Sequence, residues 1–294
     1  MVALNRFESL EQIKDKSTLF NGGEHLGHPQ EIALAVKAFT QKRMWQYAVA
    51  TLPETRECGI EPHMAIYNAA INACSKGQQW EQALVTIVEK QEHGLKPDVF
   101  CYAATISTCA RAEQWEIALG MLGEMPKYDL KPDVISYNIA ISACETGKQF
   151  ERALAMLAAM PDQRLKLDVI SYSAAISACA NGEQWLRALG ILMEVRECDV
   201  EPNMISYSAA LSACSKGKQW ERALGLLAEM CRHGLEPNVI SYSAVMSACE
   251  KGQVWERSFG ILAQVRQQDL KVDVISYASV ISSCEKGQEW ERAL

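Results

Sequence analysis

The residues with the most obvious catalytic potential are five histidines and a recurring carboxylate. The histidines are His25, His28, His63, His93 and His233. No Ser or Asp recurs beside them as a catalytic triad requires, and the sequence has neither a Walker A motif nor a G-x-G-x-x-G motif. The carboxylate of Glu221 and its copies follows a Trp at regular intervals, which is typical of the solvated face of a helix. We therefore expect no enzymatic activity, no cofactor and no small-molecule substrate.

Cysteine is the residue type best suited to bind a metal or to form disulfides. Seven of the eleven cysteines recur at intervals of 35 residues, at Cys74, Cys109, Cys144, Cys179, Cys214, Cys249 and Cys284. There is no C-x-x-C motif and no Cys/His cluster at zinc spacing. Equivalent residues of stacked helices lie about 8 to 10 Å apart, whereas a disulfide requires Cα atoms within roughly 7 Å. We predict that this cysteine column consists of free thiols in a packed core and binds no metal.

The same interval of 35 residues organises the rest of the chain. All seven Trp residues follow it, with Phe150 in the single gap, at Trp45, Trp80, Trp115, Trp185, Trp220, Trp255 and Trp290. Tyr follows it from Tyr67 to Tyr277 without an insertion or a deletion. A fixed period of roughly 20 to 50 residues is the signature of a solenoid, a propeller or an array. The secondary structure inside the unit decides among these three.

Each unit contains two segments with the apolar spacing of amphipathic helices. In the unit 204–238, Tyr207, Leu211 and Cys214 are four and three residues apart, which places them on one helix face. A second segment, from Trp220, repeats that spacing. One helix hairpin cannot bury two apolar stripes alone, so neighbouring hairpins must stack. The sequence therefore predicts an all-α fold, an α-solenoid or superhelix of stacked two-helix repeats of 35 residues.

The helix ends of this unit carry residues that stop or start helices. We expect Gly217, between the two segments, to adopt the left-handed conformation that ends a helix. Pro237 cannot continue the second helix, and Asn238 is suited to cap the first helix of the next unit. Because Trp220 shares its stripe with Leu227, we interpret the Trp column as core residues that hold one repeat against the next.

Composition restricts the partners that the chain can have. The formal net charge is −7, so a polyanion would have to bind to a local basic stripe. No apolar run approaches the roughly 18 residues of a membrane span, and we expect no membrane partner. The N-terminal segment contains Glu8, Glu11 and Asp15 with a single Arg, and so resembles neither a secretory signal nor a transit peptide. No targeting peptide is visible.

The unit as a whole resembles the pentatricopeptide repeat family, in its P-type form of 35 residues. The units open on a phrase such as VISYN at 134–138 and close on Pro-Asp or Pro-Asn, whereas the W-x2-L-G-x2-Y pattern of tetratricopeptide repeats is missing. The Trp column departs from the usual aliphatic residue of the family. The resemblance implies an N-terminal leader at 1–28, a degenerate first repeat at 29–63, six complete repeats at 64–273 and a truncated repeat at 274–294.

This resemblance implies that the chain binds single-stranded RNA, with about one base per repeat read by two side chains. In the family these are the residue after the Tyr and the last residue of the unit. The pairs that resemble uridine readers are Asn68 with Asp98 and Asn138 with Asp168. Those that resemble adenosine readers are Ser173 with Asn203 and Ser208 with Asn238, and Ser243 with Asp273 resembles a guanosine reader. The predicted target is 5'-U-N-U-A-A-G-3', where N marks the unit in which Asp133 has only Ala103 as its partner.

A purely structural role competes with base reading at the last residue of each unit. An Asp or Asn at this place precedes a helix, where an N-cap contributes about 0.5 to 2 kcal/mol to stability. Capping alone would explain Asp98 or Asn203. It does not explain why the residue after the Tyr is polar in most units.

Two further columns fit the resemblance. In the family, the residue two before the Tyr sandwiches the base between consecutive repeats; here the larger members are Phe100, Ile135, Ile170, Ile205, Ile240 and Ile275. Cations stand near the end of the first helix, at Lys76, Arg111, Lys216, Lys251 and Lys286. If they line the groove, they form the basic stripe that phosphates need. Alternatively, they stabilise the helix C-terminus through its dipole.

The resemblance thus implies an RNA-binding adaptor without catalysis, its N-terminus toward the 5' end of the RNA. Most family members act in the mitochondrion or chloroplast, in RNA processing, stability, editing or translation, and work with other RNA-processing proteins. Two alternatives stay open. A solenoid also serves as a protein-binding scaffold, which the net acidity favours. In the second alternative, the chain is the RNA-targeting array of a longer protein, and the C-terminal effector domain of that protein is missing here.

Overall fold

The structure is a computed structural model that describes residues 29–57, 59–198, 200–267, 271 and 274–286. In this part of the chain all regular secondary structure is helical, and every α-helix has 13 residues except α6, which has 10. The helices are α1 (Pro29–Gln41), α2 (Trp45–Glu57), α3 (Met64–Lys76), α4 (Trp80–Glu92), α5 (Val99–Arg111), α6 (Trp115–Glu124), α7 (Val134–Thr146), α8 (Phe150–Asp162), α9 (Val169–Asn181), α10 (Trp185–Glu197), α11 (Met204–Lys216), α12 (Trp220–Arg232), α13 (Val239–Lys251), α14 (Trp255–Gln267) and α15 (Val274–Lys286). A short 3₁₀ helix, Met125–Tyr128, continues α6.

The chain divides into two compact units, one up to Ala143 and one from Cys144, so that the division falls within α7. In the first unit, the first helices of successive repeats pack side by side, α1 on α3 and α3 on α5. The second helices α2 and α4 pack between flanking first helices, α2 against α1 and α3, and α4 against α3 and α5. The second unit repeats this order with α9, α11, α13 and α15 as the first helices. The prediction of stacked two-helix repeats is confirmed.

The core of each unit consists of the residues that recur in the sequence. In the first unit Val36 of α1, Leu52 of α2 and Tyr67 of α3 are fully buried in one cluster. In the second unit Tyr207 and Cys214 are fully buried as well. The whole cysteine column has no exposed surface, which confirms its prediction as a core column. Among the described helices, none has the length and apolar character that crossing a bilayer requires.

The turn inside each hairpin differs from the prediction. Gly217 has φ −78° and ψ 1°, so it is not left-handed, and the prediction for this residue was wrong. The left-handed residue is the next one, Lys218, with φ 58°. Glycine is needed at 217 for another reason: its Cα lies directly against the indole of Trp185, the first residue of the second helix in the preceding repeat.

The Trp column lies where one repeat meets the next, but it is only half-buried. Trp185 has Gly217 on one side, and the guanidinium of Arg222 lies 5.3 Å from the centroid of its ring. Arg187 has the same relationship to Phe150, also at 5.3 Å. These cation–π contacts shield part of each ring from solvent. The interpretation of the Trp column as packing residues between repeats therefore agrees with the structure.

The turn between repeats contains the glycine that does adopt a left-handed conformation. Gly94 has φ 70° and Gly234 has φ 72°, each directly after the end of a second helix. Asp129 and Arg164 take this conformation in two of the repeats that lack a glycine there. An extended residue then follows and caps the next first helix, as Asn238 does with φ −96° and ψ 177°. This geometry places the end of every repeat beside the first turn of the next.

Candidate nucleic-acid interface

The predicted reading residues at the ends of the repeats are all helix N-caps where the structure describes them. Oδ1 of Asn203 accepts a hydrogen bond from the backbone N–H of Ser206 at 3.0 Å, and Oδ1 of Asn238 accepts one from Ser241 at 2.9 Å. Each Asp cap accepts the equivalent bond at 2.8 Å; these are Asp98, Asp133 and Asp168. Asp273 lies outside the described residues. Capping therefore occupies one oxygen of each side chain.

Capping leaves the second polar atom of the two Asn caps available to a ligand. Within the described part of the chain, the amide nitrogens of Asn203 and Asn238 donate to no protein group, and both side chains are partly exposed. An Asn side chain carries two N–H donors besides its carbonyl oxygen. The cap and a base contact would thus use different atoms of one residue, so the two roles are compatible.

One predicted pair is in direct contact. Nδ2 of Asn68, on the second turn of α3, donates to Oδ2 of Asp98 at 2.8 Å. Oδ1 of Asp98 meanwhile caps α5. The two side chains therefore form one rigid polar group at the edge of the first-helix layer.

In each of the two predicted adenosine pairs, a further serine links the two reading residues, and sequence reasoning missed this serine. Oγ of Ser206 lies 2.7 Å from Oγ of Ser173 and 3.1 Å from Oδ1 of Asn203, so its single proton bonds to one of these two oxygens at a time. Ser241 joins Ser208 to Asn238 in the same way. This bridging position is the third residue of the first helix, where Ser also occurs at 136, 171 and 276. That recurrence was the available signal.

The serines of these pairs are less accessible than their sequence position suggests. Ser173 is only 5% exposed, and its hydroxyl donates to the backbone oxygen of Val169 at 2.6 Å. Its single proton is therefore used within its own helix. The N–H donors of Asn203 are the more available polar atoms of that pair.

The other predicted readers in the described part of the chain are Asn138, Asp168, Ser243 and Asp133. Asn138 is 9% exposed and lies on the part of α7 in the first compact unit, whereas Asp168 belongs to the second unit. The hydroxyl of Ser243 donates to the backbone oxygen of Val239 at 2.7 Å. Asp133 caps α7, and Ala103, its partner in sequence, contributes no polar atom.

A buried lysine next to the first pair was also missed. The side chain of Lys90, on α4, has no exposed surface. Its Nζ donates to Oδ1 of Asn68 at 3.0 Å and to Sγ of Cys101 at 3.1 Å, and lies 3.9 Å from Oδ2 of Asp98. The equivalent residues in the other complete repeats are Met125, Met160, Val195, Met230 and Val265. A single cation in a column of apolar residues was the signal that could have identified it.

This network holds Asp98 as a carboxylate. Partial burial acts to raise the pKa of Asp98, but the hydrogen bonds from Asn68 and Cys101 and the charge of Lys90 outweigh burial and lower the pKa below its usual value. Burial raises the pKa of Cys101 to about 11 although Lys90 opposes this effect. The thiol is therefore protonated at neutral pH, and it donates to Oδ1 of Asn68 at 2.9 Å.

Exposed apolar side chains recur beside the caps in each of the two compact units. Ile205, two residues after the cap Asn203, is 62% exposed, and the equivalent residues are exposed to a similar extent. They are Phe100 at 54%, Ile135 at 62%, Ile170 at 59% and Ile240 at 67%. The side chain of Ile275 lies outside the described residues. We call the three isoleucines of the second unit, Ile170, Ile205 and Ile240, the exposed aliphatic row.

The cations near the ends of the first helices, which we call the basic column, contact the end of the preceding first helix. Nη2 of Arg111 donates to the carbonyl oxygen of Ser75 at 3.0 Å and to its hydroxyl at 2.6 Å. Nζ of Lys216 donates to Oδ1 of Asn181 at 2.8 Å. Lys76 and Lys251 are exposed too, whereas the side chain of Lys286 lies outside the described residues. These contacts fit the stabilisation of a helix C-terminus and leave each cation at the surface.

Acidic neighbours reduce the net positive charge of this column. Burial lowers the pKa of Lys216; Glu183 and Glu145 act to raise it, and Lys148 and Lys251 act to lower it. Burial also raises the pKa of Glu145. Positive and negative side chains thus lie close enough together at this edge of the second unit to influence one another.

No group of three or more side chains in the described ranges could hold a metal ion. The histidines there have structural or surface positions. Nδ1 of His63 caps α3 by accepting from the N–H of Ala65 at 3.1 Å, and His93 and His233 are exposed at the ends of second helices. These residues form no catalytic constellation.

Models of known protein families match several segments of the chain. One described as "PPR repeat family" matches residues 97–146 and 202–251, "Pentatricopeptide repeat domain" matches 155–217, and "PPR repeat" matches 65–95. Together the matched segments cover more than half of the chain. It belongs to the pentatricopeptide repeat family. The resemblance inferred from the repeat unit is therefore confirmed. No curated protein sequence matches the chain significantly.

Several solved structures share the fold, among them the pentatricopeptide repeat protein PPR10. The chain is 19% identical to PPR10 from maize, with a TM-score of 0.60 over 98% of this chain and 46% of that one. For PPR10 in complex with an 18-nt psaJ RNA element, the identity is 18% and the TM-score 0.61, over 96% and 45% of the two chains. Nuclear proteinaceous RNase P 2 from A. thaliana is 12% identical, with a TM-score of 0.51 over 64% and 41%. The chain spans less than half the length of these proteins.

Proposed function

We propose that this pentatricopeptide repeat chain binds single-stranded RNA along the edge formed by the first turns of its first helices. About one base is read per repeat, and the preferred sequence is 5'-U-N-U-A-A-G-3' with the N-terminus toward the 5' end. The chain acts as an adaptor in organellar RNA processing, stability, editing or translation, without catalysis of its own. PPR10, whose fold it shares, is known in complex with RNA, which supports this proposal.

The observation that carries the proposal is the exposed aliphatic row. An aliphatic side chain the size of Ile gains about 1.5 to 3 kcal/mol when fully buried, so its exposure at the same place in successive repeats indicates a surface that a ligand covers. Ile170, Ile205 and Ile240 are each about 60% exposed or more. Each stands two residues after a polar cap with which a base edge can form hydrogen bonds.

The spacing of this row suits a flat ligand. Packed helices lie about 8 to 10 Å apart, so equivalent residues of neighbouring first helices have a similar separation. A flat base contacts carbon atoms on either face at about 3.5 to 4.0 Å. One base therefore fits between Ile205 and Ile240, with its edge toward Asn238 and Ser208.

The charges of the chain fit a phosphate backbone only locally. The net charge is −7, but Lys216 and Lys251 project from the same end of consecutive first helices. Binding through such a column releases counterions and so weakens as salt concentration rises. Salt dependence therefore distinguishes RNA binding from the scaffold role that the net acidity favours.

The test is a titration by fluorescence anisotropy at two salt concentrations. Three labelled strands are compared: an RNA with the predicted hexamer, a copy with both adenosines changed to cytidine, and a DNA of the same sequence. We expect the first to bind tightest and the changed copy to lose about 1 to 3 kcal/mol per changed base. Equal binding of all three would contradict base reading. Binding to none of them at either salt concentration would favour a protein-binding scaffold.

A matched pair of variants tests the exposed aliphatic row. Ile205 on α11 and Leu186 on the second helix α10 are both 62% exposed. We expect Ile205→Ala to weaken RNA binding roughly three- to tenfold, because apolar contact with the base is lost. Leu186→Ala removes the same kind of surface from another face and should leave binding unchanged. Equal effects of the two variants would contradict the assignment of the row.

A further inference from the structure

The buried lysine beside the first reading pair has a specific chemical consequence. Lysine is almost never fully buried unless it is paired. Lys90 has no exposed surface, and its three nearest polar atoms belong to Asn68, Cys101 and Asp98. Equivalent positions carry Met or Val, as at Met160 and Met230, so the repeat fold does not need a cation there. Its presence in one repeat calls for a role specific to that repeat.

Lys90 and Asp98 together determine the orientation of the Asn68 amide. An ammonium group has only donors and a carboxylate has only acceptors. The atom of Asn68 that faces Lys90 at 3.0 Å must therefore be the oxygen, and the atom that faces Asp98 at 2.8 Å must be the nitrogen. The thiol of Cys101 donates to the same oxygen at 2.9 Å. With its oxygen held by two donors, Asn68 can offer a ligand only its second N–H.

This arrangement presents a hydrogen-bond donor from Asn68 beside an acceptor from Asp98. Uracil and cytosine differ in whether their edges complement these two groups. Uracil has an oxygen at C4 and an N–H at N3, which complement a donor next to an acceptor. Cytosine has an amino group at C4 and an unprotonated N3, which oppose both. If the amide of Asn68 could turn over, its oxygen would accept from the amino group of cytosine, and the distinction would weaken.

We propose that Lys90 is a positioning residue that makes the repeat 64–98 discriminate uridine from cytidine, by preventing the Asn68 amide from turning over. This inference rests on the proposed function, because it assumes that Asn68 and Asp98 read a base. Lys90 itself does not touch the RNA, since its side chain is fully buried. It acts through Asn68 and Asp98.

The main test replaces Lys90 by the residue that neighbouring repeats carry. In Lys90→Met, the hydrogen bond to Asn68 is lost while the packing volume is kept, and Met at 125, 160 and 230 shows that the fold accepts it. Affinities are measured for the hexamer RNA and for a copy with its first uridine changed to cytidine. We expect the uridine-to-cytidine ratio of the parent protein to be roughly tenfold or more, and to fall at least about fivefold in Lys90→Met.

Three controls accompany this measurement. A copy with the third base of the hexamer changed from uridine to cytidine probes the other predicted uridine pair, whose ratio should not change in Lys90→Met. Lys127→Met removes an exposed lysine of the 3₁₀ helix, keeps Lys90, and should keep the ratio at the first base. Lys90→Gln is a second variant in case Lys90→Met folds poorly. Its amide can accept as well as donate, so the same loss of discrimination is expected.

The outcomes separate this inference from the proposed function. If the parent protein prefers uridine at the first base and both Lys90 variants keep that ratio, the role of Lys90 is wrong and base reading stands. If the parent protein shows no preference at any position of the hexamer, base reading fails and the role of Lys90 fails with it. A uniform loss of affinity at all positions would show that Lys90 only stabilises the fold, and would overturn the inference.

Discussion

Gly217 lies so close to Trp185 that no side chain fits between them. A Cβ atom on Gly217 would lie 2.3 Å from Cδ1 and 2.5 Å from Cγ of the indole. The same approach links Gly252 to Trp220 at 2.4 Å and, in the first unit, Gly77 to Trp45 at 2.5 Å. Gly77, Gly217 and Gly252, which we call the Gly column, each contact the Trp that begins the second helix of the preceding repeat.

This contact predicts that Gly217→Ala is destabilising although its backbone conformation suits any residue. We expect a loss of about 1 to 3 kcal/mol in the free energy of unfolding, because the indole must shift to admit the methyl group. Gly225→Ala, in the middle of α12 where nothing lies within 4 Å of the added atom, should instead stabilise by roughly 0.5 to 1 kcal/mol. Urea denaturation measures both. Similar effects of the two substitutions would contradict this account of the Gly column.

The cysteine column predicts a sharp division in thiol reactivity. Burial raises the pKa of Cys74 to about 12 and that of Cys214 to about 11, so both are protonated and inaccessible at neutral pH. Cys198 and Cys231 are exposed. Iodoacetamide should label the two exposed cysteines in the native protein and the column only after unfolding, as peptide mass spectrometry would show. Labelling of Cys214 in the folded protein would argue against its place in the core.

The basic column predicts a change in affinity without a change in base preference. Lys216→Gln should weaken RNA binding uniformly across sequences and reduce the slope of log affinity against log salt by about 0.7. Arg232→Gln, which removes the same charge from an exposed position on α12, should do neither. If Lys216→Gln lowers stability by about 0.3 to 1 kcal/mol and leaves RNA affinity intact, the role of Lys216 is confined to the helix dipole.

Most of the fold was predictable because the repeat superposes several weak signals. A single unit shows only a helical spacing of Tyr207, Leu211 and Cys214, but the same spacing at intervals of 35 residues leaves few alternatives to stacked hairpins. The role of Gly217 was not predictable in this way. A glycine after a helix favours both a left-handed turn and a close approach, and only the position of Trp185 decides between them.

The sequence predicts which recurring positions form the candidate site, but it does not predict the contacts that their side chains make between repeats. The caps Asn203 and Asn238 follow from local sequence, since a cap bonds to the helix that it begins. The bridges through Ser206 and Ser241 join different repeats, and repeat periodicity does not state which atoms meet across that boundary. Lys90 was missed because a comparison of equivalent positions identifies the residues that repeats share, whereas Lys90 differs from the Met and Val at its equivalent positions.

The central claim, that the caps also read bases, is tested most directly by an exchange of Asn for Asp. In the double variant Asn203→Asp and Asn238→Asp, the capping oxygen is kept, so the stability should stay within about 0.5 kcal/mol. The amide nitrogen of each side chain, with its two N–H donors, is replaced by an acceptor oxygen. Base reading through that atom therefore predicts a change of preference from adenosine toward guanosine at both positions.

The measurement compares the parent protein and the double variant on two RNAs, 5'-U-N-U-A-A-G-3' and 5'-U-N-U-G-G-G-3'. The account predicts that the preferences cross: the parent binds the first RNA more tightly and the variant the second, by about 1 to 3 kcal/mol for each changed position. Unchanged preference in a stable variant would contradict it, and would leave Asn203 and Asn238 as helix caps alone.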